Sequence, residues 1–334
     1  MMISHLKNLG IFLLTAMLSV GFLTACGNNQ TSQQTTDETN TDQAEPEVQF
    51  VDLALKLEAE ETYRMKITTT EDTTQTKFGE TTKIKSESET IYKIDVVDVD
   101  EDGNTTLQYT YESIKNTSDG TLVFDSSLGT QTDNPQGRIY QTLIGNSYNV
   151  VLTSMGDIQS VSGIDELIGA MLDTVDSEIR DLVEPRVKSI VGEETIKDLM
   201  QTSFGMYAAE PVKVGDEWTE SWSTTAGFAA NFETIVKFTE LTDNSVKLDT
   251  TMTLSNNPEA EALEFGSFKM RFKNLSGEGT GQFELDHTTG LFTTATIKQK
   301  FDAELELEGL EVITSDEPAT INGTSETKYE LLKS

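Results

Sequence analysis

The chain is short of the residues from which most enzymes and metal sites are built. Its 334 residues include one cysteine, Cys26, and two histidines, His5 and His287. A single cysteine excludes an intramolecular disulfide, so the fold must be held by its core. Zinc sites normally draw on several His or Cys ligands, and the sequence lacks them. A Ser-His-Asp triad would have to use His287, yet there is no Gly-x-Ser-x-Gly nucleophile elbow. The nearest approach to a phosphate-binding glycine loop, Gly277-Glu-Gly279-Thr-Gly281, has no helix pattern after it. Positive charge is scarce as well: 24 Lys and Arg stand against 57 Asp and Glu, a formal net charge of −33. Such an acidic surface argues against nucleic acid and against lying flat on anionic lipid, since both are anions. It favours solubility, cation condensation or basic partners, and a solvated exported surface is a sufficient explanation.

The N-terminus reads as an address. Lys7 supplies a positive start, Ile11 to Phe22 are an apolar run, and Leu23-Thr24-Ala25-Cys26 follows. The run is too short to cross a hydrocarbon core of roughly 30 Å as a stable helix, and fits a signal peptide over residues 1–25. Leu23-Thr24-Ala25-Cys26 resembles the lipobox of bacterial lipoproteins, with Leu at −3, a small residue at −1 and the cysteine at +1. That resemblance implies cleavage before Cys26, lipid (palmitate included) on its thiol, and attachment to the outer face of the bacterial cell membrane. Several acyl chains hold a protein firmly where one binds only marginally. No second long apolar run exists, so the lipid is the expected membrane contact. Residues 26–47 are rich in Asn, Gln, Thr, Ser, Asp and Glu, cannot bury apolar surface, and are expected to form a disordered tether.

Beyond the tether the apolar residues alternate. Tyr63-Arg-Met65-Lys-Ile67, Ile91 to Val99, Leu107-Gln-Tyr109-Thr-Tyr111 and Tyr148-Asn-Val150-Val-Leu152 show period two, which predicts half-buried strands over 48–161. The period then lengthens. Ile164, Leu167, Ile168, Met171, Leu172 and Val175 form one helical face, with Ser162 and Asp165 placed as a capping box. Two further helices are predicted from Ser177 and toward Gly205, with Pro185 expected to kink or end the first part. Strand alternation resumes over 207–334, through Thr234 to Phe238, Val246-Lys-Leu248, Gly281 to Leu285, Leu291 to Ile297 and Phe301 to Leu307. The fold class is thus α+β, mainly antiparallel β: two β-sheet regions joined by an amphipathic helical insertion over 162–206, forming one globular unit. A faint echo links the two regions, from Ser147 to Gly156 and from Gly281 to Gly290. It is open to two readings, duplication or plain hairpin grammar, and the second is favoured.

Pro211-Val-Lys-Val-Gly215-Asp-Glu-Trp218 and Gly279-Thr-Gly281-Gln-Phe-Glu-Leu-Asp286-His-Thr-Thr-Gly290-Leu291, with Phe124-Asp125-Ser126, resemble an uncharacterised family of secreted bacterial lipoproteins. The resemblance covers about Val48 to Leu307. It implies a β-rich fold with a helical insertion, and no activity. The motif residues also have plain structural uses: Gly215 and Gly290 turn the chain, Trp218 fills core space, and Asp286 caps a turn.

Three local features invite chemistry. Asp98-Val-Asp100-Glu-Asp102-Gly103 matches the first half of a calcium loop, with carboxylates at positions 1, 3 and 5 and glycine at 6. Position 12 is Tyr109 where a bidentate Glu is needed, and strands flank it where helices should, so an acidic hairpin turn is favoured over weak calcium binding. His287 falls in a predicted hairpin, where a turn residue is favoured over a general base. Met171, Leu172, Met200, Phe204 and Met206 are placed either to wall an apolar cavity or, as favoured, to pack as core. A carboxylate pair of the glycosidase kind is unidentifiable among so many acids. The leading expectation is a monomeric, non-catalytic surface binding module for lipid or another apolar ligand, without cofactor. Behind it stand a structural or protein-interaction component of the envelope and, last, a carboxylate-based hydrolase.

Overall fold

Alternation of apolar and threonine-rich positions over long runs is what a sheet with one covered face requires. In the computed structural model of the chain it is realised as an antiparallel sheet of thirteen strands among the described residues. The structure describes residues 49–333 apart from 78, 130–134, 179, 205, 225–229, 259–261, 266–267 and 309–318. Cys26, the lipobox-like string and the expected tether lie outside the described residues.

The first half runs β1 (Thr62–Lys77), β2 (Glu80–Val99), β3 (Thr105–Ser118), β4 (Thr121–Asp125), a short 3-10 turn, α1 (Pro135–Leu143), β5 (Ser147–Leu152) and β6 (Ile158–Ser162). Helices α2 (Ile164–Leu172), α3 (Arg180–Val191) and α4 (Glu193–Phe204) follow. The second half is β7 (Glu217–Ser223), β8 (Ala230–Leu241), β9 (Ser245–Asn256), β10 (Leu263–Phe265), β11 (Phe268–Asp286), β12 (Phe292–Glu308) and β13 (Ala319–Leu332). Across the sheet the order is β6-β5-β3-β2-β1-β13-β12-β11-β9-β8-β7, with β4 on β3 and β10 on β11.

The two β regions are therefore not two sheets. They fuse through β1 and β13, paired from Arg64↔Leu332 to Thr76↔Thr320. The physical reason is edge protection: two separate meanders would leave four rows of unpaired N–H and C=O groups, and fusing the halves removes two of them. The strand that does this, β13, carries only Ile321, Tyr329, Leu331 and Leu332 as large apolar residues, too few to announce it in the sequence. The segments read as Leu291 to Ile297 and Phe301 to Leu307 are one strand, β12.

The helices cover the part of the inner face that carries the main apolar cluster. Ile164, Leu167, Ile168, Met171 and Leu172 of α2 are buried, as are Ile196 and Met200 of α4. The start of α2 departs from the capping box: its N-cap is Gly163, in a left-handed conformation at φ 87° with no side-chain cap bond. Left-handed backbone suits glycine, which leaves Ser162 one residue too early to serve. Pro185 does not end α3, which continues to Val191; a proline removes one N–H of the ladder, and the rest of the helix carries on around it.

A strap closes one end of the sheet. Val51, Leu53, Leu55 and Leu57 are buried in alternation. Val51 exchanges backbone hydrogen bonds with Val212 at 2.7 and 2.9 Å, just before β7; Leu55 N–H donates to Ser154 O at 2.7 Å, just before β6; and Lys56 N–H donates to Thr289 O at 2.8 Å. Strands β6 and β7 are the two edges of the sheet, so the strap ties them and the sheet curls round at this end. Gly290 makes the close approach feasible: it has φ 73°, and a Cβ there would run into the Ala54 carbonyl. The buried Tyr207 hydroxyl donates to the Gly290 carbonyl at 2.9 Å. Gly290→Ala is expected to destabilise the chain by about 2 kcal/mol or more, from left-handed strain plus collision. Gly103→Ala, at φ 82° with open space around it, should lose only the conformational part, about 1 kcal/mol. Urea denaturation of both variants checks the difference, and equal losses would contradict the strap packing.

Candidate functional site

The acidic run at the end of β2 folds as a turn. The Asp100 carboxylate is spent on its own loop: Oδ1 accepts from the N–H of Asp102 at 2.9 Å and of Asn104 at 2.8 Å, and Oδ2 accepts from Asn104 Nδ2 at 2.8 Å. Those bonds, the Asn104 side chain first, hold its pKa below the ordinary carboxylate value. Asp98 pairs with Thr106 in the β2–β3 ladder, and Asp102 is an exposed turn residue. The structure does not bring the three together around a common point, and among the described residues no group of three or more His, Cys, Asp or Glu is placed to hold a metal. The local spacing resembled a cation loop only because an Asx-type hairpin turn uses the same residues. His287 sits half-buried in the β11–β12 turn, its N–H donating to Asn244 O at 3.0 Å. Asp286 caps the same turn through the N–H groups of Thr288 at 2.9 Å and Thr289 at 2.8 Å.

Met171, Leu172, Met200, Phe204 and Met206 all belong to the main apolar cluster. Beside them Tyr92, Tyr109, Tyr111 and Tyr148, from β2, β3 and β5, pack ring on ring, with Tyr109 and Tyr148 stacked at 5.4 Å. Burial raises all four phenols, that of Tyr111 to about 12.

The unusual chemistry lies across the middle of the inner face. The main apolar cluster, with Val236, Leu248, Ile297 and Tyr329, is separated there from a second one, with Phe232, Leu254, Phe301 and Ile321. Between them the sheet turns polar or side-chain-free, except at Met252 of β9. Following the register sideways, Glu71 of β1 faces Ser325 of β13, Ser325 faces Gln299 of β12, and Gln299 faces Gly279 of β11. Gly279 faces Met252, Met252 faces Thr234, and Thr234 faces Glu220 of β7. Up β1 the strip continues through Thr73 and Gln75, both buried.

Several of these groups lack partners. Glu71 Oε1, Gln75 Nε2, Gln299 Nε2 and Thr234 Oγ1 are buried and make no hydrogen bond. Others are satisfied: Ser325 Oγ donates to Gln299 Oε1 at 3.3 Å, and the hydroxyls of Thr69 and Thr327 share a bond of 3.2 Å. Each unsatisfied buried group costs about 1–3 kcal/mol, so the strip is an expensive way to build a wall. Burial alone pushes the Glu71 carboxyl up to about 8. Glu220 is raised to about 7 by burial, with the charge of Asp157 adding. Neither carboxyl is shifted by the other, and they lie at opposite ends of the row, so they do not form a catalytic pair. Gly277, Gly279 and Gly323 leave room for neighbours to lie flat: a Cβ on them would come within 2.7 Å of Leu254 Cδ2, 2.8 Å of Met252 Cε and 2.8 Å of Phe301 Cε1.

Sequence reasoning missed this row. One signal for it was present: after Ile67 the inward positions of β1 are Thr69, Glu71, Thr73 and Gln75, which is unusual for a strand at the centre of a sheet. On the outer face behind the row, Asp72, Glu278, Lys298, Lys300 and Glu326 border an open polar trough of about 520 Å³, in which Lys298 and Glu326 pair at 3.3 Å.

The chain matches the family described as a family of unknown function, DUF6263, over residues 102–292. No curated protein matches it. Among solved structures, one described as lipid-protein interactions in lipovitellin aligns with 83% of this chain and 25% of its own, at 12% identity and TM-score 0.44. The chain thus spans about a quarter of that protein's length. The translocator domain of the autotransporter NalP from Neisseria meningitidis aligns with 83% of this chain and 90% of its own, at 10% identity and TM-score 0.22. OccK2 (OpdF) of Pseudomonas aeruginosa aligns with 82% and 100%, at 5% identity and TM-score 0.20. Likenesses this low carry no argument about function.

The buried carboxyl gives a direct prediction. A folded-state pKa of about 8 against an ordinary 4.5 means that Glu71 contributes stability fully present below pH 4.5, lost as pH rises through 8. In Glu71→Gln, which cannot ionise, that part of the fall should vanish. Denaturant midpoints of the two proteins should diverge steadily between pH 5 and 8, the variant becoming relatively more stable. Parallel curves would show that Glu71 is not held neutral.

Proposed function

We propose that the chain, which belongs to the DUF6263 family of unknown function, is a non-catalytic binding module for an amphipathic or apolar ligand such as a lipid. It is held at the outer face of a bacterial membrane through lipid on Cys26. One observation carries the binding reading: buried polar atoms without partners stand in a strip between two apolar surfaces on the inner wall of a curved sheet. A wall that served only as core would be more stable with apolar residues in that strip. Polar atoms kept there are accounted for by a ligand that satisfies them. The groups that a hydrolase would need are occupied or apart: His287 and Asp286 shape a turn, and Glu71 and Glu220 stand at opposite ends of the row.

Two measurements test the reading. Native mass spectrometry of the full chain, extracted from membranes in mild detergent, should show a stoichiometric adduct of lipid mass that organic solvent removes; a bare protein mass throughout would overturn the binding role. Labelled palmitate should enter the wild-type chain and not Cys26→Ala, and equal labelling of both would refute the anchor.

A further inference from the structure

The unpartnered groups of the strip also state what kind of head group would complete them. Gln75 Nε2 and Gln299 Nε2 can only donate. Glu71 Oε1 accepts, and the carboxyl also donates while it carries its proton. A fitting ligand must therefore bring acceptor oxygens to two amides and a hydroxyl to a carboxyl. Its charge is constrained too. The row holds two carboxyls, Glu71 and Glu220, and no cation; the inward-facing Lys77 lies six residues up β1 from Glu71, about 20 Å at strand rise. An anionic phosphate or free carboxylate placed here would give up its hydration with no cation in the row to compensate its charge. The flanks demand apolar surface on both sides, against Val236 and Ile297 below and Phe232 and Phe301 above, all buried. Glu71 and Gln299 stand two strands apart, about 10 Å between backbones, a separation that a glycerol ester bridges with its ester groups.

We propose that the row Glu71–Ser325–Gln299, with Gln75 above it, is the head-group subsite for an uncharged amphiphile bearing ester and hydroxyl oxygens, of the diacylglycerol type, whose chains lie on the apolar surfaces either side. The proposal rests on the binding-module reading above and narrows it to a ligand class. Glu71 is 3% exposed in this state, so the ligand reaches the row only when the side chains packed over it give way, and association is slow. The recognition logic is that of any site with buried polar groups: a ligand lacking the matching oxygens leaves those groups unpaired and is rejected.

The two tryptophans provide a reporter, since Trp218 and Trp222 of β7 face inward on either side of Glu220, at the end of the row. The full chain is titrated with 1,2-dioctanoylglycerol, with dioctanoyl phosphatidic acid and with decane, following tryptophan fluorescence. Dioctanoylglycerol should bind saturably, and phosphatidic acid about tenfold or more weaker. Glu71→Leu and Gln299→Leu should each weaken dioctanoylglycerol about fivefold or more while leaving decane within about twofold. Glu71→Leu should melt no lower than wild type, because it removes an unpartnered polar group, whereas Gln299→Leu also gives up the bond from Ser325; if one fails to fold, the other carries the comparison. Ile235→Ser, on the outer face of β8, should change nothing. Folded Glu71→Leu or Gln299→Leu binding dioctanoylglycerol as tightly as wild type would overturn the subsite, as would tighter binding of phosphatidic acid. In either case saturable decane binding would leave the broader binding reading standing. If none of the three ligands binds, that reading falls and the subsite with it.

Discussion

The ladder between β1 and β13 is the constraint on which the rest of the molecule depends. It joins the first strand of the sheet to the last, Arg64 to Leu332 at one end and Thr76 to Thr320 at the other. Without it there are two meanders with four edges. With it there is one wall, wide enough to curl until the strap at Val51 to Leu57 ties its two margins. Contacts between residues so far apart in sequence form late and slowly, because the loop they close is nearly the whole chain. The helices rest mainly on β4, β5 and β6 of the first half, and Phe204 of α4 meets Phe292 of β12 in the second.

The same ladder assembles the polar row. Glu71 comes from β1, Ser325 from β13 and Gln299 from β12, and they become neighbours only through that pairing. Natural cores seldom keep unsatisfied groups in this number, and where local consistency fails the failure tends to mark function. The strip also explains why the inner face holds two apolar clusters instead of one. A single greasy lining would offer every hydrophobe the same surface; this one is interrupted by amides and a carboxyl.

How much of this was legible in the sequence depended on distance along the chain. Period-two runs such as Tyr63 to Ile67 and Leu107 to Tyr111 are local, and they lie in β1 and β3. Asp100-Glu-Asp102-Gly103 looked like a cation loop because spacing alone cannot show that the Asp100 oxygens are already taken by backbone N–H groups. Ser162 looked like a cap because its hydroxyl is the right chemistry, but the left-handed backbone at Gly163 moved the helix start past it. Strand β13 and the row were not legible: the first has few apolar residues to mark its alternation, and the second is defined by cross-strand register between residues some 250 positions apart, about which composition says nothing.

The strap has a mechanical consequence. It is the first described stretch of the chain, so any pull on the N-terminal side is delivered to Val51 before it reaches the sheet. The hydrogen bonds of Val51 with Val212, and of Leu55 with Ser154, are also what hold the seam between the two margins. Tension would meet these few bonds one after another, as in a peeled zip, and not the long ladders in parallel. The seam is thus the place where a force applied ahead of Val51 would be converted into an opening of the wall.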